Sequence, residues 1–211
     1  MNPELESYIE AHIEKEPDNL RRLERATNLE RINGRMCSGH IQGRLLKMLT
    51  RMINPRRVLE MGTFTGYSAL CIAEGMPEDG ILVTIELEEE LDEPIREALA
   101  ASPYGRKVKL AIGDAKEVCK DFGDAKFDMI FIDADKRQYP EYYRQAKRLV
   151  RPGGFILADN TLWDGHVVDP SRKDAQTDGI RRFNDMVASD PDVETVILPI
   201  RDGISIIRRT N

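Results

Sequence analysis

The pattern of apolar and polar positions changes character near residue 57. Before it, apolar residues recur at helical spacing. Leu5, Tyr8, Ile9, His12 and Ile13 share one face of a first predicted helix, with Asn2 as its cap and Pro3 at its first position. A second helix is expected from about residue 20 to 31, followed by "NGRMCSGH", a loop by its glycines. Ile41, Leu45, Met48, Leu49 and Met52 give a third amphipathic helix, ended by Asn54-Pro55. After residue 57, short apolar runs ("VLEMG", "ILVTIE", "VKLAIGD", "FDMIFID", "GFILADN") alternate with helical stretches near 67–75, 89–101, 115–121 and 139–150. That alternation predicts an α/β fold, a parallel sheet with helices on both faces. A last helix, about 177 to 189, carries Ile180, Phe183 and Val187. "VETVILPI" and "GISIIRR" then follow, and the short Arg201-Asp202 link between them suits an antiparallel hairpin. The expected organisation is one domain over residues 1–211, a helical cap at 1–55 and a sheet core at 56–211.

Composition changes this picture little. A chain of 211 residues, 41% hydrophobic and 32% charged, can bury a full core. No apolar run reaches membrane-spanning length, and the acidic, amphipathic start is unlike a secretory leader. Cys37, Cys71 and Cys119 are odd in number and far apart, which argues against a disulfide framework or a zinc site. A cytoplasmic protein with no membrane partner is expected. Charge adds a question. Residues 19–57 hold ten basic side chains against Glu24 and Glu30, in a chain of net charge −6. They read either as a solvated helical face or as a basic surface for an anionic substrate or partner.

In sheets of this kind, ligands bind beyond the carboxyl ends of the strands. The first strand runs into "VLEMGTFTGYSAL", that is Glu60-x-Gly62-x-x-x-Gly66, not the GxGxxG of a dinucleotide site. Glu60 would repel a pyrophosphate and suits a ligand with an amino group and a positive charge, such as S-adenosylmethionine (SAM). Glu86 ends the second strand, where a carboxylate can accept ribose hydroxyls. Asp114 follows the third, where it can accept an adenine amino group. The fourth and fifth strands end in "IDADK" and "ADN". Asp133, Asp159 and Asn160, all oxygen donors at neighbouring strand ends, suit a hard divalent cation, Mg²⁺ first and Mn²⁺ or Ca²⁺ next. The bland alternative is a pair of helix caps. Lys136, one turn beyond Asp133, is a candidate base, with a pKa expected to be depressed by burial and a nearby cation. The roles of Asp135 and Trp163 stay open: Asp135 as a support for the metal ligands, a substrate contact or a solvated residue, Trp163 as pocket wall or packing residue.

With "VLEMGTFTGYSAL", "TIELEEE", "GDA", "FIDADKRQY" and "LADNTLWDG" in this order, the chain resembles the cation-dependent O-methyltransferases from about Ser38 to Arg208. These are the catechol and caffeoyl-CoA O-methyltransferases and their small bacterial relatives. The resemblance implies a Rossmann-like, seven-stranded SAM-dependent methyltransferase fold with a C-terminal antiparallel hairpin. It implies SAM contacts at Glu60, Gly62, Gly66, Tyr67, Ser68, Glu86, Asp114, Ala115 and Asp133. It implies metal ligands at Asp133, Asp159 and Asn160, with Lys136 and Asp133 catalytic, and a homodimer. His166, in "WDGHVVDP", stands where members of that family usually carry Arg. The expected reaction is methyl transfer from SAM to a hydroxyl of a catechol-like, phenolic or CoA-linked small molecule. The alternatives are a tRNA hydroxyuridine O-methyltransferase of the same family, a nicotinamide oxidoreductase and a non-catalytic binding protein.

Overall fold

In the computed structural model, which describes residues 3–31 and 33–211, the expected change of character at residue 57 separates a helical cap from a sheet. The expected Asn2 cap lies outside the described residues. The cap comprises α1 (Pro3–His12), α2 (Asp18–Glu30) and α3 (Gly39–Ile53). Then come β1 (Arg57–Met61), α4 (Tyr67–Gly75), β2 (Ile81–Glu86), α5 (Asp92–Ala100), β3 (Val108–Ile112), α6 (Ala115–Val118), β4 (Phe127–Ile132), α7 (Tyr139–Leu149), β5 (Val150–Ala158), α8 (Ala175–Ala188), β6 (Val193–Leu198) and β7 (Ile204–Arg209). The strands form one sheet in the order β3-β2-β1-β4-β5-β7-β6. The first five are parallel; β7 pairs antiparallel with both β5 and β6, as the short Arg201-Asp202 link predicts.

Burial explains the apolar runs. The ends of β1 and β4 facing the site are wholly buried, because helices cover both faces of the sheet. One apolar layer joins Tyr139, Tyr143, Leu149, Ile180 and Phe183 to the sheet; the other joins Leu46, Tyr67, Leu70, Ile95 and Leu99. Among the described residues, no helix is long and apolar enough to cross a membrane.

The cap departs from the sequence pattern. The predicted apolar face of α1 is largely open, with Leu5 and Tyr8 exposed. On α3, the apolar stripe of Ile41, Leu45, Met48, Leu49 and Met52 lies outward or half-buried, with Met48 and Met52 exposed. The buried face is Gln42, Gly43, Arg44, Leu46, Lys47 and Thr50. Close approach to α4 decides this. A Cβ on Gly43 would meet Cys71 Sγ at 2.8 Å, and one on Gly75 would meet Lys47 O at 2.5 Å. Ion pairs make the polar face buriable: Glu74 pairs with Arg44 at 2.9 Å and Lys47 at 2.8 Å, and Glu14 with Lys47 at 2.6 Å. The basic stretch of residues 19–57 is therefore not a uniformly free surface. Arg21 and Arg56 also pair, with Asp18 and Asp79.

Candidate active site

The strand order reverses between β1 and β4, so a crevice opens at their carboxyl ends. The acids flagged at the strand ends gather there. Glu60, next to last in β1, is fully buried; its Oε2 accepts from Thr84 Oγ1 at 2.5 Å, and its Oε1 has no hydrogen-bond partner. Burial pushes this carboxyl up to about 8, against the pull of the Ser68 and Thr84 hydroxyls, while Asp133 and Glu86 raise it further. An orphaned oxygen on a buried acid suits a cationic donor such as an ammonium. Glu86 is differently placed. It accepts three backbone N–H bonds, from Thr63 (3.2 Å), Phe64 (2.7 Å) and Glu88 (3.0 Å), and so anchors the glycine turn.

Gly62 has a use the sequence does not reveal. Its φ is +97°, and an added Cβ would run into the Asp133 backbone carbonyl. The close approach joins the ends of β1 and β4, locking the two halves of the crevice together. Gly66, φ +90°, precedes α4 at its cap, where an added Cβ would meet Ile95 Cγ2 at 3.7 Å, an ordinary contact. Ser68 is buried next to Glu60. The Tyr67 side chain turns away, donating to Glu16 Oε1 at 2.5 Å.

Asp133 and Asp159 follow β4 and β5, parallel neighbours whose last residues, Ile132 and Ala158, are register partners. Lys136 Nζ donates to Asp133 Oδ1 at 2.7 Å and to Tyr139 Oη at 2.9 Å. Tyr139, fully buried, donates in turn to the Asp159 carbonyl at 2.9 Å. Burial holds the Asp159 carboxyl above its ordinary value and Asp133 adds to this, while Lys136 and Gln42 oppose it. The Asp159 Oδ2 accepts from Gln42 Nε2 at 2.6 Å, and its Oδ1 from Asn160 N at 2.8 Å. Asn160 has φ +56° and donates from its side chain to Asp202 Oδ2 at 3.4 Å. Neither Asp133 nor Asp159 caps a helix. That task falls to Asp135, which accepts from Arg137 N at 3.1 Å and pairs with the Arg137 guanidinium.

Two neighbouring carboxylates and an amide, oxygen donors only, fit a hard divalent cation. Among the described residues no group of three or more His, Cys, Asp and Glu side chains is disposed to hold a metal; Asp133 and Asp159 are two acids, and Asn160 adds an amide. The depression expected for Lys136 is tied to a nearby cation as well as to burial. Burial does pull its pKa down, but Asp133, Tyr139 and Asp159 outweigh it and hold the ammonium above its ordinary value.

Asp114 caps α6, accepting from Lys116 N at 2.8 Å, and Ala115 starts that helix at the end of β3. Trp163 is half-buried against the α7–α8 layer, which favours the packing role; its φ of +48° and the +52° of Asp164 mark a tightly turned loop. His166 lies in the same loop, its carbonyl held by Arg181. Sequence reading missed Gln42, Tyr139, Arg201 and Asp202. Of these only Asp202 carried a signal, as an acid in the hairpin turn beside the fifth strand end.

A sequence profile of the O-methyltransferase family matches residues 10–210, beginning well before Ser38, where the resemblance seen in the sequence starts. Caffeoyl-CoA O-methyltransferase 2 of Zea mays is 34% identical over 206 residues, covering 92% of this chain and 78% of that protein. The match of the plant enzyme thus reaches into the cap. Catechol O-methyltransferase of Niastella koreensis is 36% identical over 160 residues, covering 74% of this chain and 72% of that one. Among solved structures, the O-methyltransferase TomG from Streptomyces achromogenes, involved in tomaymycin synthesis and crystallised with SAM, superposes with a TM-score of 0.91 at 34% identity over 100% of both chains. The chain belongs to the O-methyltransferase family and is a SAM-dependent O-methyltransferase of the caffeoyl-CoA and catechol type.

Proposed function

We propose that the enzyme methylates a hydroxyl oxygen of a catechol-like, phenolic or CoA-linked small molecule, with a divalent cation held by Asp133, Asp159 and Asn160 and with Lys136 as base. One observation carries this reading: two carboxylates and a buried lysine share one edge of the sheet, and no helix start uses either acid as its cap. Glu60 receives the ammonium of SAM through its unpartnered Oε1. Glu86 faces the ribose from the glycine turn that it anchors, and Asp114 lies at the adenine end. When bound, the cation would polarise the acceptor oxygens and lower the pKa of the hydroxyl.

Lys136 takes the proton. In the ligand-free protein, Asp133 and Asp159 help keep it charged. Once those carboxylates are neutralised, burial dominates and favours the neutral amine. Tyr139 fixes Nζ in place. Holding the oxygen, methyl carbon and sulfur in line supplies much of the rate gain. The exposed Met48 and Met52 of α3 support a homodimer formed through the cap.

A panel of catechols, simple phenols, CoA thioesters and bulk tRNA, incubated with methyl-labelled SAM and Mg²⁺, tests the acceptor class. Label should enter a vicinal diol and not tRNA. Transfer to tRNA alone would overturn the small-molecule assignment.

A further inference from the structure

We infer that Gln42, fixed in orientation by Arg201, is a positioning residue that presets Asp159 for the cation; the inference rests on the reading of Asp133, Asp159 and Asn160 given above. Gln42 belongs to the cap, 117 residues from Asp159 along the chain, yet it is 1% exposed and aimed at the sheet edge. Its Nε2 donates to Asp159 Oδ2 at 2.6 Å, and its Oε1 accepts from Arg201 Nη1 at 3.0 Å. Reversing the amide would set oxygen against carboxylate and NH₂ against guanidinium, so only one orientation is satisfied.

Arg201 is itself held at the tip of the β6–β7 hairpin, donating to the carbonyls of Cys37 (3.2 Å) and Ser38. Asp159 therefore has one donor on each oxygen, Gln42 on Oδ2 and the Asn160 amide on Oδ1. Its carboxylate plane is fixed while other lone pairs stay free. The next residue in the tip serves the neighbouring candidate ligand. Asp202 accepts from Asp164 N at 2.7 Å and from the Asn160 side chain at 3.4 Å. Cap and hairpin thus meet at the two candidate ligands that follow β5. Groups that orient a ligand in this way typically change metal affinity about 10–100-fold when removed.

The test is Mn²⁺ binding to the full chain by electron paramagnetic resonance, with SAM affinity by calorimetry and a thermal melt alongside. Gln42→Met keeps the volume and loses the amide. It should weaken Mn²⁺ about tenfold or more while SAM affinity stays within about twofold. Because Arg201 acts through Gln42, Arg201→Ala should weaken Mn²⁺ in the wild-type background but add little to Gln42→Met. Should Gln42→Met fail to fold, Gln42→Asn, its amide drawn back by one methylene, should show the same loss. Mn²⁺ affinity within about twofold of wild type, with only a lowered melting temperature, would reduce Gln42 to a packing residue and overturn the inference. A wild type that binds no Mn²⁺ would instead overturn the cation reading, and this inference with it.

Discussion

The two halves of the crevice both present buried acids, but they neutralise them differently. On the β1–β2 side, Glu86 is satisfied by backbone N–H groups, and Glu60 keeps one oxygen without a partner. On the β4–β5 side, the carboxylates of Asp133 and Asp159 are met by the side chains of Lys136 and Gln42 and by the backbone amide of Asn160. Backbone donors are fixed by the fold and cannot be exchanged without moving the turn. Side-chain donors can rearrange when another positive charge arrives. The first half thus holds one buried carboxylate oxygen without a partner, and the second is a cluster of carboxylates balanced by Lys136 and Gln42.

The comparison breaks most sharply at Asp159. Asp159→Ala removes a candidate ligand and leaves Gln42 without its acceptor, so turnover should fall by about a thousandfold or more with cation binding lost and SAM binding kept. Retained cation binding in this variant, measured by calorimetry, would contradict the assignment of the β4–β5 side. Next comes Lys136→Met. Turnover should fall about 10²–10⁴-fold near neutral pH, partly recovering as the acceptor ionises unaided. Cation affinity should hold or rise, since a competing positive charge 2.7 Å from Asp133 is gone. A pH–rate profile parallel to wild type would remove Lys136 as base.

The smallest effect on turnover, and the most diagnostic of the β1–β2 side, belongs to Glu60→Gln. SAM affinity should fall about tenfold or more with the loss of a charged partner. Stability should move the other way. The folded-state pKa of Glu60 is raised to about 8 from an ordinary 4.5, so its contribution is fully present below about 4.5 and lost as pH rises through about 8. Ligand-free Glu60→Gln should therefore melt above wild type at pH 8.5 and converge with it near pH 4.5. The gap should be a few kcal/mol, with a ceiling of about 5. Equal melting temperatures at both pH values would mean that Glu60 carries no burial penalty.

The sheet and its acids were legible in the sequence for one physical reason. A parallel strand covered on both faces reads as an apolar run, and the first polar residue after it marks the carboxyl edge where ligands bind. Glu60, Glu86, Asp114, Asp133 and Asp159 all emerge that way. The orientation of α3 did not, because its stripe of Ile41, Leu45, Met48, Leu49 and Met52 is a truthful record of hydrophobicity but not of burial. What buries Arg44 and Lys47 is a pair of acids at Glu14 and Glu74, which helical periodicity cannot see. Gln42 was invisible for the same reason, its partner lying 117 residues away. Spacing placed Lys136 near Asp133 but could not weigh burial, which lowers its pKa, against Asp133, Tyr139 and Asp159, which raise it.

On the reading proposed above, Asp133, Asp159 and Asn160 hold a cation needed for methyl transfer. The most direct measurement is the rate of label transfer from SAM to the best acceptor before chelation, after exhaustive chelation, and after Mg²⁺ is returned. The expected result is loss of nearly all turnover on chelation, full recovery with Mg²⁺, and unchanged SAM affinity throughout. Undiminished transfer by the chelated enzyme would contradict the claim and leave the two aspartates as acids balanced by Lys136 and Gln42 alone.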